Sequence, residues 1–257
     1  MTRTFNEQSH VLSAPQEKVW KDLGEQLPNH WILYGDTALG LRTGHRHSPD
    51  FHFKSARQFN PLNLRETLPF LKDATVLKSN WNYLKVAVGG PTPVEVSFSG
   101  GQSMAQIHPP DQARNGLHVA SLQDLAGEKM YRISKRVSER DWRDVGMLLY
   151  EGTSLEEMLR CAEAKYGERF EASAAVLNLT SARRSGASLA SETKSAVSKE
   201  AVMARLDAPP MAVHSKLLTT ERVEPAQSPK RQQNFERAVD PYDLHDPFDR
   251  PSRDLER

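Results

Sequence analysis

The 257-residue chain has a single cysteine, Cys161. One thiol cannot close an intramolecular disulfide, so no covalent staple is available, and a reducing, cytoplasmic setting is expected. Cys161 falls in the helical pattern SLEEMLRCAEAKYG, where a packed, inert thiol is expected rather than a nucleophile. Long apolar runs are missing too. No stretch approaches the roughly 18–20 apolar residues that a membrane-spanning helix needs. The opening MTRTFNEQSHVLSAPQEKVW has none of the apolar centre of a signal peptide, so no membrane association is expected. Charge of one sign is not in excess: 34 basic and 33 acidic residues leave a net charge of +1. That balance excludes a global electrostatic case for nucleic-acid binding and leaves only local basic surfaces. No internal repeat is visible.

With 38% apolar and 26% charged residues, a chain of this length can bury a core without staples. SAPQEKVWKDLGEQL reads as a helix capped by Ser13, with Val19, Trp20 and Leu23 as its apolar stripe. The apolar strand HWILYG follows, then a turn and a helix, TALGLRTG, started by Thr37 and stopped near Gly44. DFHFKS alternates as a strand should, with Phe51 and Phe53 on one face and Asp50 and His52 on the other. NPLNLRETLPFLKDA is an amphipathic helix on Leu64, Leu68 and Leu71. The alternating segments ATVLKSNWNYLKVAVGG and TPVEVSFSGG are separated by Gly89-Gly90-Pro91, and Gly101 to Leu117 reads as a loop. From Ser121 the pattern is helical as far as Gly152, and another helix ends near Gly167. These elements predict an α+β fold, a small mixed sheet flanked by helices, over residues 1–182. Residues 183–257 are polar and proline-punctuated, and predict a disordered tail with a transient helix near Ser195–Leu206 and a candidate partner-binding peptide, PYDLHDPF.

Residue types that carry chemistry gather in three places. Gly35-Asp36-Thr37 follows the first strand; Gly35 permits close approach and the helix behind it offers N–H groups to a phosphate. Asp36 is awkward there, because a carboxylate repels phosphate unless a cation intervenes. In Gly44-His45-Arg46-His47-Ser48-Pro49-Asp50, Arg46 can clamp a phosphate or pair with Asp50. Asp50 and His52 form a candidate metal edge, to which Glu95 is a third candidate ligand or a solvated strand residue. Magnesium prefers hard oxygen ligands, whereas imidazole suits softer metals. Finally, Lys129, Arg132, Arg136 and Arg140 recur at helical spacing as one basic face, able to neutralise a triphosphate or simply to meet solvent.

The ordered set GHR-x-S-x-D, DLA-x-x-K and R-D, together with LYGDTALGLRTGHRHSPDFHF and VEVSFSGG, resembles the AbiEii/AbiGii toxin family of nucleotidyltransferases over roughly residues 15–175. The resemblance implies a minimal nucleotidyltransferase fold. It implies transfer of a nucleoside monophosphate from an NTP, with Mg²⁺ or Mn²⁺, to an RNA (a tRNA among them) or protein acceptor. It also implies a toxin role opposite a cognate antitoxin or in phage defence. Carried over by position, Asp50 is the first metal carboxylate, and Gly35 and Thr37 belong to the nucleotide turn, with Asp36 and Arg46 beside them. Lys129 and Arg132 face phosphate, and Asp141 is the acid of the R-D pair. The chain departs from that pattern at His52, where a second carboxylate is expected, and at Ser97, where many nucleotidyltransferases place a third. The alternative reading is therefore a weakened or inactive relative that binds nucleotide or a partner protein. Either way, Asp50, Gly35 and Lys129 are expected to border one cleft.

Overall fold

Alternation decides the centre of the molecule. In β2 (Asp50–Lys54) Phe51 and Phe53 are buried while Asp50, His52 and Lys54 are half-buried, so one face of the strand joins the core and the other carries polar groups. The computed structural model describes residues 3–101, 105–136 and 138–184. The tail predicted from residue 183, with its helix near Ser195–Leu206 and its PYDLHDPF peptide, lies outside these apart from the end of one helix.

The chain enters through α1 (Ala14–Gln26), whose start is fixed by Ser13: its backbone N–H donates to Gln16 Oε1 at 3.1 Å. β1 (Ile32–Tyr34) leads into α2 (Gly35–Thr43), and then β2 returns antiparallel to β1. α2 begins at Gly35, two residues before the predicted start at Thr37. α3 (Pro61–Thr67) is shorter than the pattern predicted, because Pro69 opens a separate 3-10 turn; Leu64, Leu68 and Leu71 are still buried. The predicted single segment from Ala74 to Gly90 is two strands, β3 (Thr75–Asn80) and β4 (Tyr83–Val88), joined at Trp81-Asn82 with Asn82 at φ 61°. β5 (Val94–Ser99) completes that meander and lies parallel to β2. Two short strands follow, β6 (Asp111–Gln112) inside the predicted loop and β7 (His118–Val119) directly after its end.

Among the described residues, the result is a seven-stranded mixed sheet in the order β3-β4-β5-β2-β1-β7-β6. Its apolar face holds Leu33, Phe53 and Phe98, which share a register row. Trp31 meets Phe98 edge-on at 5.2 Å between ring centres, and Trp20 stacks on Phe51 at 5.7 Å.

Among the described residues, four helices follow the sheet. α4 (Leu122–Lys135) is capped by the Ser121 hydroxyl, which accepts from the Asp124 N–H at 3.0 Å. The helix does not run on to residue 152 as predicted. It stops at Arg136, and Ser138 starts α5 (Glu139–Tyr150) through a capping box with Asp141. α6 (Leu155–Tyr166) packs on α4, and α7 (Ala172–Arg184), not expected from the pattern, packs on α4 as well. Burial pushes the Cys161 thiol up, away from the thiolate. Among the described residues no helix is long and apolar enough to cross a membrane.

Candidate active site

The turn from β1 into α2 is the hinge of the site. Gly35 has φ +76°, which a side chain rarely adopts, and a methyl group there would lie 3.2 Å from the His52 ring. The turn is therefore pressed against the polar face of β2. Thr37 ties the two together by donating its hydroxyl hydrogen bond to the Asp50 carbonyl. The two expected halves of the site, the glycine turn and the Asp50 edge, are thus adjacent.

On the helical side, Asp36 projects from the first turn of α2 into a group of charges drawn from three elements. Lys129 of α4 lies 2.8 Å from Asp36, 3.0 Å from Asp141 and 2.7 Å from Asp144. Arg46 forks onto Asp144 at 2.6 and 2.7 Å and reaches Asp36 at 2.8 Å. Arg132 stands 3.6 Å from Asp36, and His45 Nε2 lies 2.9 Å from Asp144. Burial alone would raise the Asp36 carboxyl, but Lys129, Arg132 and Arg46 outweigh it and hold the group well below the usual carboxylate range. Asp144 is held low in the same way by Lys129, His45 and Arg46. Lys129 is held above its ordinary value, burial being outweighed by Asp144, Asp36 and Asp141.

This arrangement changes two sequence-based expectations. Arg46 pairs with Asp144 and Asp36 rather than with Asp50. The continuous basic face is broken: Lys129 is buried among carboxylates, Arg136 closes α4, and Arg140 belongs to α5. Asp144, the centre of the group, was not singled out from the sequence, although it follows Asp141 by three residues on the same helix and so shares its face. A cleft of about 220 Å³, part of it open to solvent, lies against this group, lined by Gly35, Asp36, Leu39, Leu125, Glu128, Lys129 and Arg132. Gly35 and Lys129 share that cleft; Asp50 lies beside it, not in its wall.

The strand side is more open. Asp50 faces Glu95, and His52 faces Ser97, across the β2–β5 ladder. His52 Nε2 sits 2.7 Å from Asp50 Oδ2, and His52 Nδ1 meets the Ser97 hydroxyl. Burial would raise the Asp50 carboxyl, but its hydrogen bond to His52 and the His52 charge hold it down. Glu95 is drawn to Lys85 at 2.7 Å. The three candidate metal ligands therefore have other partners: one carboxylate bonds an imidazole and the second bonds an ammonium. Among the described residues no group of three or more His, Cys, Asp or Glu side chains is placed to hold a metal ion. This donor set does not fit a resident Mg²⁺, which prefers hard oxygens.

A mixed sheet carrying a glycine turn, an acidic strand edge and a charged helix is in itself a general architecture. The sequence comparison makes it specific: residues 22–250 match the model of the nucleotidyl transferase AbiEii toxin of type IV toxin–antitoxin systems, and the chain belongs to that family. The match starts inside the range 15–175, where the quoted motifs lie, and runs well past its end. An uncharacterized protein of Aquifex aeolicus (strain VF5), aq_aa25, is 27% identical over 141 residues, 54% of this chain and 67% of that one. Among solved structures, a candidate nucleotidyltransferase from H. pylori aligns with a TM-score of 0.37 and 13% identity, covering 67% of this chain and 98% of that one. MenT4, the nucleotidyltransferase toxin Rv2826c from Mycobacterium tuberculosis H37Rv, aligns with a TM-score of 0.41 and 14% identity, covering 60% and 65%.

Proposed function

We propose that the protein is a toxin-family nucleotidyltransferase that moves a nucleoside monophosphate from an NTP to an RNA or protein acceptor, in a form weakened by His52 and Asp36. The observation that carries this reading is the adjacency of the Gly35 turn, the Lys129–Arg132 wall and Asp50. In this reading the turn and the cationic wall receive the phosphates, and Asp50 faces the reacting end. Electrostatic positioning of this kind is most of what phosphoryl-group chemistry asks of a protein. Mg²⁺ or Mn²⁺ arrives as the counter-ion of the triphosphate. The acceptor class (a tRNA, another RNA or a protein) and a cognate antitoxin follow from the family and belong to the same proposal.

A second reading, binding of nucleotide or partner without transfer, is favoured by the His52–Asp50 bond of 2.7 Å. One assay separates the two. The protein is incubated with labelled NTPs, Mg²⁺ or Mn²⁺, and total RNA or cell protein. Label transfer that Asp50→Ala abolishes and His52→Asp raises about tenfold, the equivalent of roughly 1.4 kcal/mol, supports transfer. No label with either metal, together with metal-dependent nucleotide binding gained only in His52→Asp, supports the binding reading.

A further inference from the structure

Lys129, Arg46 and Arg132 come from two separate parts of the chain, and the point on which all three converge is the Asp36 carboxylate. We propose that Asp36 is an internal occupant of a phosphate seat: it holds these three cations closed on one another, and an external polyphosphate must displace it to bind. The proposal rests on the reading that this wall faces the triphosphate of a substrate.

Three observations support it. First, the local charges cancel. Lys129, Arg46 and Arg132 stand against Asp36, Asp141 and Asp144, so the seat offers no surplus positive charge while Asp36 is in it. Second, Asp36 is the carboxylate of the group nearest solvent: its side chain is 17% exposed, against 5% for Asp141 and 0% for Asp144. It also borders the cleft. The other two carboxylates are built in, whereas Asp36 can turn outward. Third, its departure leaves Lys129 and Arg46 paired. Lys129 keeps Asp141 and Asp144 at 3.0 and 2.7 Å, and Arg46 keeps its two-pronged bond to Asp144.

The test uses the full chain and inorganic tripolyphosphate, followed by titration calorimetry at low salt. Asp36→Asn keeps the side-chain shape, removes the charge, and is expected to bind tripolyphosphate about tenfold more tightly than the native protein, the scale of one charge-assisted hydrogen bond. Adding Arg132→Gln to that variant should remove the gain. Equal or weaker binding by a cooperatively melting Asp36→Asn overturns the proposal. A variant that melts low must be restored by tripolyphosphate, which refills the seat; melting that the anion does not restore also overturns it. The probe has no nucleoside to transfer. A gain in binding without any label transfer therefore defeats the catalytic reading and leaves the seat, while transfer without a gain does the reverse.

Discussion

The helical and strand sides of the site use the same residue types to opposite ends. Around Lys129 the charges are buried, multiply bonded and drawn from α2, the Arg46 turn, α4 and α5. Within β2, and between β4 and β5, they are paired one to one, and part of each pair meets solvent. A buried ion group gains strength from the low dielectric and becomes costly to break. A half-exposed pair is screened and cheap to exchange. The first region is architecture as much as chemistry, and the second is where a single substitution can alter activity without unfolding the protein.

The sharpest way to break this contrast is at Asp144. Asp144→Ala leaves Lys129, Arg46 and His45 without their shared partner, and a loss of about 3–5 kcal/mol is expected, measured by urea denaturation. A loss below about 1 kcal/mol would place both regions in the same class. An intermediate effect is expected from pH. Asp36 and Asp144 are both held below the ordinary aspartate value of about 3.9. On acidification the unfolded chain takes up protons at these positions before the folded one does. Their contribution is thus complete above about pH 4 and is lost as pH falls towards the folded values. Melting temperature should fall steeply below about pH 4, and Asp144→Asn should flatten that limb. The smallest effect is expected on the strands. Glu95→Gln removes the bond to Lys85 from a side chain that is 46% exposed, and should cost no more than about 1 kcal/mol by the same denaturation assay.

Much of the frame was readable locally. The alternation of Phe51 and Phe53 with Asp50 and His52 gave β2 and its two faces, and Ser13 and Ser121 marked the helix starts. Two breaks were written in residues that the longer pattern masked. Ser138 three places before Asp141 is a capping signal inside a helical run, and Asn82 tolerates the left-handed turn between β3 and β4. The charge group was legible only in part. Asp36, Arg46, Lys129 and Asp141 were singled out, but Asp144 was not, since its partners His45 and Arg46 lie 99 and 98 residues away. Hydrophobic period locates a helix and its buried face; it does not say which distant cation a buried carboxylate will meet.

One contact outside the site sets its depth. α4 crosses α6 at Gly127, where an added methyl group would come within 2.9 Å of the Cys161 carbonyl carbon and oxygen. Two positions further along the same helix, Lys129 reaches its three aspartates at between 2.7 and 3.0 Å. The missing side chain acts as a spacer of zero thickness: it lets α4 settle onto its neighbour, and the reach of the ammonium is gauged from that resting plane.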